Sequence, residues 1–278
     1  MGALWGISPR DIYLYAGGSY HFDGESLRKL PFSGNKIWGS SNEDMFFTSS
    51  KGVIYFDGRN WTEMMENGPT FSAIWGASNR DVFATTRWDS RIFHYNGVSW
   101  TEMETPHSTA KNHFLEALWG SSGTDVYAVG YEHDTTSVGR VLHYDGISWE
   151  EVLITEEYAR FNAVWGSGAD DVYVGESGGY LYRFDGDGWS HVEVPGYGLY
   201  SISGRSATDV IAVGYLGTVV RYDGLEWKDE SISSGYNLFG VWTGPGAPEY
   251  AVGCKLFDDG NDVFCGDGVL LENRCGLE

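Results

Sequence analysis

Along this chain the apolar residues come in short runs and never in a helical rhythm. A run such as Val126-Tyr127-Ala128-Val129 is bounded by an acid on one side and a glycine on the other, and the arrangement then recurs. No segment sustains the 3.6-residue apolar spacing of an amphipathic helix, so the runs read as strands. The recurring unit is apolar-Trp-Gly, four residues, an Asp, an apolar strand, a second strand ending aromatic-Asp-Gly, and then a Trp. Its clearest copy is Ala117-Leu118-Trp119-Gly120, then Asp125 to Gly130, then Tyr144-Asp145-Gly146 and Trp149.

The first glycine of the unit falls at Gly6, Gly39, Gly76, Gly120, Gly166, Gly204 and Gly244, and five residues after each stands an acid, from Asp11 through Glu249. Aromatic-Asp-Gly or aromatic-Asn-Gly follows at Asp23, Asp57, Asn96, Asp145, Asp185 and Asp223. In five of these six copies a tryptophan lies three residues past the glycine; the seventh copy reads Leu271-Glu272-Asn273. Asp-Gly and Asn-Gly between apolar runs predict tight hairpins whose two central residues both take positive φ. Repeats of about 40 residues with four strands and no helix predict one all-β domain over 1–278, a seven-bladed β-propeller of four-stranded antiparallel blades with the last incomplete. The repeats start near 3, 36, 73, 117, 163, 201 and 240.

A residue present in every blade solves a problem every blade has. The Asp is therefore expected to accept backbone N–H groups in the turn between strands one and two. The tryptophans are expected to fill the space between neighbouring blades. His21, His94 and His143 share one repeat position with Tyr55, Arg183 and Arg221, which predicts a solvent-facing strand site rather than a shared zinc site.

Composition sharpens this picture. Glycine is 39 of 278 residues, yet 12 Trp, 18 Tyr and 14 Phe accompany it, so the glycines are turn residues of a packed fold, not linker. The net charge of −21 disfavours nucleic acid and anionic lipid and favours cations, basic proteins or neutral ligands. No run of 18 apolar residues is present, so membrane insertion is not expected.

Trp119-Gly120, Asp125-Val126-Tyr127, Gly139, Tyr144-Asp145-Gly146 and Trp149 resemble the WG…DVYAVG…G…YDG..W repeats of many secreted or surface bacterial propellers. Asp145 to Trp149 also resembles a shortened Asp-box of sialidase-like propellers, lacking the Ser or Thr two positions before the Asp. The resemblance implies the fold; the function of such propellers varies.

The variable loops, those joining blade to blade and those between strands two and three, share one face and are the expected site of function. They offer Arg87, Trp88, Asp89 and Arg91 in blade 3, and Glu132, His133 and Asp134 in blade 4. The connections into blades 4 and 5 add His107, Lys111, His113, Glu156, Glu157, Tyr158 and Arg160, and Tyr197, Tyr215 and Tyr236 add aromatic surface. Exposed aromatics beside charged groups suit a protein partner, and equally a sugar ring. Because the loops differ between blades, one composite site for a protein is preferred to a lectin-like surface with blade-repeated residues. No nucleophile elbow or phosphate loop is present, so an enzyme is not expected; carboxylates among Glu132, Asp134, Glu156 and Glu157 are the remaining catalytic reading.

Asp258, Asp259, Asn261 and Asp262 surround Gly260 and form a candidate Ca²⁺ loop, the one cofactor suggested. Cys254 and Cys265 flank a predicted hairpin, where a disulfide would imply an oxidising compartment and an extracellular or cell-surface location; Cys275 is left over. With no spare strand at either end and no signal peptide, the expected state is a monomeric domain of a longer chain.

Overall fold

The computed structural model describes residues 3–50, 52–65, 68–106, 112–232, 235–244, 249–258 and 263–273; the side chains of residues 156, 157, 256–258, 263–269 and 273 lie outside the description. Among the described residues the strands form seven antiparallel sheets, six of four strands and one of three, each a meander in chain order. Blade 4 is representative, with strands His113–Ser122, Asp125–His133, Ser137–Tyr144 and Trp149–Tyr158. The first strands of the blades, Ala3–Ser8, Gly34–Ser41, Phe71–Ser78, His113–Ser122, Phe161–Gly168, Leu199–Ser206 and Asn237–Trp242, lie side by side around the axis. The first strand of blade 7 meets that of blade 1, which closes the ring. The only helical element among the described residues is the 3₁₀ turn Tyr215–Gly217, and none of their helices is long and apolar enough to cross a membrane.

Two sets of tryptophans hold blade to blade. The first belongs to the Trp-Gly pair, and it explains the glycine. A Cβ placed on Gly39, Gly76, Gly120, Gly166 or Gly204 would lie 2.5 to 2.9 Å from the indole of Trp5, Trp38, Trp75, Trp119 or Trp165, each from the preceding blade. Each blade thus leaves bare backbone for its neighbour's ring. The second set opens the fourth strand and wedges against strand two of the preceding blade. Trp149 meets Phe83 edge-on at 6.3 Å, Trp189 meets Tyr127 at 6.2 Å, and Trp227 meets Tyr173 at 5.9 Å. Trp61 and Trp100 join the clusters of Tyr13 and Phe46 in the same way.

The repeated aspartate departs from expectation. It does not accept the backbone N–H groups of the turn between strands one and two, which go to the serine at the end of strand one, as in Ser78 Oγ accepting from Arg80 N and Ser122 Oγ from Thr124 N, both at 3.3 Å. One carboxylate oxygen accepts a serine hydroxyl across that turn, from Ser40, Ser121 or Ser167 in blades 2, 4 and 5, and the other oxygen reaches across to strand three. Asp11, Asp81 and Asp125 bond His21, His94 and His143 through Nε2 at 2.7, 2.7 and 2.6 Å. Asp171 takes Arg183 at 2.8 Å and Asp209 takes Arg221 at 3.1 Å, while in blade 2 burial and the neighbouring Asp44 raise the Tyr55 hydroxyl. His, Tyr and Arg share the position because each carries a donor, not because the position faces free solvent. Each of the three histidines also stacks on an aromatic ring of strand two, at 4.2 Å on Tyr13, 4.5 Å on Phe83 and 4.4 Å on Tyr127.

The Asp-Gly turns also differ in detail. Only the glycines take positive φ, between 85° and 93°, and the loop is four residues long. The Asp or Asn side chain closes it by accepting two successive backbone N–H groups, as Asp145 does from Ile147 at 2.8 Å and Ser148 at 2.9 Å. These bonds, from Ser26 and Glu25, hold the Asp23 carboxyl down at about 2, and equivalent bonds lower Asp57, Asp145 and Asp185.

Blade 7 is irregular. Its register pairs Trp242 with Tyr250, as Trp119 pairs with Tyr127 in blade 4. Glu249 therefore stands where Val126 does, not where Asp125 does, because Trp242-Thr243-Gly244 carries one residue more than Trp-Gly. Tyr250 pairs with Glu272 and Glu249 with Asn273, so Asn273, not Leu271, stands where the aromatic Tyr144 does. Cys254 is buried and is paired in register with Gly268, while Cys265 is paired with Leu256. The expected Cys254–Cys265 disulfide turns on a side chain outside the description, as does the expected calcium site: Asp259, Asn261 and Asp262 lie outside the described residues, and so does the side chain of Asp258.

Two outcomes test this packing. Gly120→Ala puts a methyl group against Trp75 and destabilises the fold by about 1–3 kcal/mol, and Trp149→Ala, which empties a buried wedge, costs about 3–5 kcal/mol, both read by denaturant unfolding. Because the turn aspartates titrate lower folded than unfolded, their contribution is complete above about pH 4 and is lost as pH falls through the folded values. Melting temperature should accordingly drop between about pH 4 and pH 2.

Candidate functional site

The innermost strands do not run straight. In six of the described blades strand one carries a bulge that skips one residue of the ladder: Asn35, Ser72, Glu116, Asn162, Tyr200 and Phe239. A bulged residue is released from the ladder and re-aimed. Ser72 turns back to Thr85, at 3.1 Å from its carbonyl, and Asn35 accepts from the Thr48 hydroxyl. The other four, Glu116, Asn162, Tyr200 and Phe239, line the mouth of the central channel together with Lys36, Tyr131, Tyr158, Arg160 and Ser177. This mouth is a cavity of about 420 Å³. It leads into a narrower space of about 200 Å³ lined by all seven first strands.

The mouth lies at the starts of the first strands and the ends of the second, which is the face expected to carry function. Of the expected residues, the structure gathers Arg87, Trp88, Tyr158 and Arg160 there. Aromatic and guanidinium planes form a continuous rim. Arg87 lies over Trp88 at 5.3 Å, Trp88 meets Phe114 edge-on at 6.0 Å, and Phe114 stacks on Tyr131 at 5.0 Å. Arg160 then covers Tyr131 at 5.0 Å and Tyr158 at 5.8 Å. Opposite, Tyr200 stacks on Phe239 at 5.2 Å. Trp88 and Tyr158 are 65% and 60% exposed, so large apolar rings stand open at a charged cavity.

Charge is concentrated in the mouth. Burial lowers the Lys36 ammonium, with Glu116 opposing the shift and Arg87 adding to it. Burial raises the Glu116 carboxyl against the pull of Lys36, Arg87 and Arg160. Tyr131 is raised by burial and by the Glu116 charge. Three basic side chains thus share the field of one carboxylate, in a protein whose net charge is −21.

The remaining expected residues are elsewhere on the same face or committed to internal bonds. Asp89 binds Arg91 at 2.7 Å and the Thr86 hydroxyl, and Arg91 reaches Glu102 at 3.4 Å. Glu132 is held by Arg140 and by His113 at 3.4 Å, and His133 bonds Ser137 at 2.9 Å. Asp134 is exposed in the turn closed by its N–H to Thr136 O at 3.1 Å. Tyr197 and Tyr215 are exposed beside blade 6, at 74% and 42%, and Tyr236 packs under Lys255 at 5.2 Å. His107 and Lys111, and the side chains of Glu156 and Glu157, lie outside the described residues. Lys36, Glu116, Tyr131, Asn162, Tyr200 and Phe239 were not expected. Part of the signal is legible in retrospect: the position three before the Trp of the Trp-Gly pair reads Asn, Ser, Glu and Asn in blades 2 to 5, and the next position reads Ala in blades 3 to 5 but Lys36 in blade 2.

The architecture defines a seven-bladed β-propeller with a composite site at one mouth of its channel. No protein-family model matches the chain, and no curated protein matches it in sequence. Among solved structures the chain is similar in fold to a propeller described as YCF48 bound to D1 peptide, at 12% identity and a TM-score of 0.67, over 91% of this chain and 90% of that one. It is likewise similar to YCF48 from Cyanidioschyzon merolae, at 14% identity and a TM-score of 0.67, over 90% and 91% of the two chains.

Glu116→Gln removes the charge that opposes the lowering of Lys36. The Lys36 pKa should then fall further, read as a downward move of its Cε resonance midpoint in a ¹³C titration; an unchanged midpoint would show that the two groups are not coupled.

Proposed function

We propose that this protein is a non-catalytic propeller that holds an extended segment of a partner protein across the mouth of its channel. The observation that carries the reading is the cavity of about 420 Å³ whose lining residues come from five blades and differ in each. Such a site reads one asymmetric ligand, whereas a lectin propeller repeats its residues from blade to blade for multivalent capture. Exposed Trp88 and Tyr158 supply large ordered rings, and Arg87 and Arg160 supply fixed cations, the residue types that dominate protein hot spots. The similarity in fold to a propeller described as bound to a peptide supports the same reading.

The charge pattern specifies the segment. Arg87, Arg160 and Lys36 outnumber Glu116, so the preferred ligand places at least one carboxylate in the mouth beside apolar side chains. A carboxylate there also raises the depressed Lys36, so binding is linked to proton uptake by that ammonium.

A random peptide library displayed on phage tests this. Selection against the protein should enrich peptides combining Asp or Glu with aromatic or aliphatic residues, and the Arg87→Ala/Arg160→Ala double variant should bind them at least about tenfold more weakly, a loss of about 1.4 kcal/mol. Failure to enrich any peptide, or equal binding by the double variant, would overturn the proposal.

A further inference from the structure

A small cavity of about 10 Å³ lies between the loop joining strands two and three of blade 3 and the strands of blade 4, with Ser90, His113, Phe114, Tyr131 and Arg140 among its lining residues. It backs on to the mouth, because Tyr131 is a wall of both cavities, and Phe114 is the ring that meets Trp88 on the rim. Two polar atoms at this cavity are left over. Ser90 Oγ and Arg140 Nε are both buried, and neither has a hydrogen-bond partner in the protein. The terminal nitrogens of Arg140 are engaged, Nη1 with Glu151 and Nη2 with Glu132, but Nε is not. Buried polar groups without partners oppose folding and are rare in native proteins. A volume of about 10 Å³ is close to the least that holds one water, and a buried water is kept in place by two or more polar partners.

The backbone is unusual at the same point. Ser90 has a φ of 51°, one of three positive values among the described non-glycine residues, a conformation that L side chains enter at a cost. Glycine would make this turn more easily. What serine adds is its hydroxyl, on a residue only 2% exposed. The base of the loop is closed by other bonds: Thr86 N–H donates to Arg91 O and Arg91 N–H to Thr86 Oγ1, both at 2.9 Å, and Arg87 N–H donates to Thr70 O at 3.0 Å. None of these three ties the loop to blade 4.

We propose that one buried water bridges Ser90 Oγ and Arg140 Nε and thereby fixes the loop that presents Arg87 and Trp88 to the mouth. The water accepts from the Nε–H and exchanges a hydrogen bond with the hydroxyl, so blade 3 is held on blade 4 behind the rim. Ser90 is a positioning residue, which acts through Arg87 and Trp88. The bridge is independent of what the mouth binds; only its effect on binding rests on the reading of the mouth as a site for a partner segment.

A crystal structure that resolves ordered water should show one within about 3 Å of both atoms. An empty cavity, an ion in place of the water, or a direct Ser90–Arg140 bond would each overturn the proposal. In solution, Ser90→Gly removes the hydroxyl and relieves the positive φ together. Amide exchange at residues 88–90 should nonetheless quicken about tenfold or more; unchanged or slower exchange would show that serine serves the turn alone. The quickening should largely vanish in the Arg140→Lys background, which keeps a cation beside Glu132 and Glu151 but has no Nε, and an undiminished effect would sink the bridge. Peptides selected on the mouth should bind Ser90→Gly about threefold or more weakly, because the loop must then be ordered on binding. Equal binding would remove the positioning role. Should no peptide be selected at all, the reading of the mouth falls, while the density and the exchange rates still decide the bridge.

Discussion

The structure depends on one contact repeated around a ring: a flat tryptophan laid on the bare backbone of the next blade's glycine. Neither residue works without the other. A side chain on Gly120 would enter the Trp75 ring, and a smaller residue at Trp75 would leave the sheets apart, since stacked sheets need side chains to fill roughly 10 Å between them. The contact also sets the direction of the ring, because the ring always comes from the earlier blade and the glycine from the later one. The second wedge, from the fourth strand, points the opposite way, from the later blade onto strand two of the earlier. The five junctions from blade 1–2 to blade 5–6 are thus each stapled by two indoles offered from opposite sides, one near the axis and one near the rim.

Against that frame the charged residues of the repeat serve cohesion within the blade. The aspartate at the start of strand two and the His, Tyr or Arg of strand three form a half-buried acceptor–donor pair, and the imidazole or guanidinium lies over an aromatic ring of strand two, as Arg183 does over Tyr173 at 5.3 Å. The pair shields the rim wedge from water and satisfies the carboxylate, so a polar group can stand beside the core at little cost. In blade 7 the same chemistry is turned sideways: Glu249, displaced by one residue, pairs with arginines of blade 6 and ties two blades where the others tie two strands.

The fold was legible because its signals are repeated. Five copies of Trp-Gly, two degenerate ones and six of aromatic-Asp-Gly or aromatic-Asn-Gly averaged out the noise of any one copy, and blade number and strand order followed. The roles of single residues were less legible, because identity does not reveal direction. His143 and Arg183 looked like solvent-facing residues, since the sequence does not show that a carboxylate on the neighbouring strand waits for their donor. Arg87, Trp88, Tyr158 and Arg160 were picked out as loop residues of the right chemistry, and they do meet at the mouth. Asp89, Arg91 and Glu132 had the same chemistry but are taken up by neighbours. The residues that floor the mouth were missed because they sit inside strands, where a bulge unseen in the sequence turns them inward.

That bulge separates what the repeat must keep from what it can vary. Residues in register with the ladder have fixed neighbours on both sides, so Trp, Gly and the strand-two apolar residues recur from blade to blade. The skipped residue has no ladder partner, and its replacement disturbs no junction. Asn, Ser, Glu, Tyr and Phe therefore succeed one another at a single structural position, and Glu116, Asn162, Tyr200 and Phe239 converge on the axis because the ring brings every first strand there. A repeated scaffold obtains an asymmetric site in this way without losing a single blade contact.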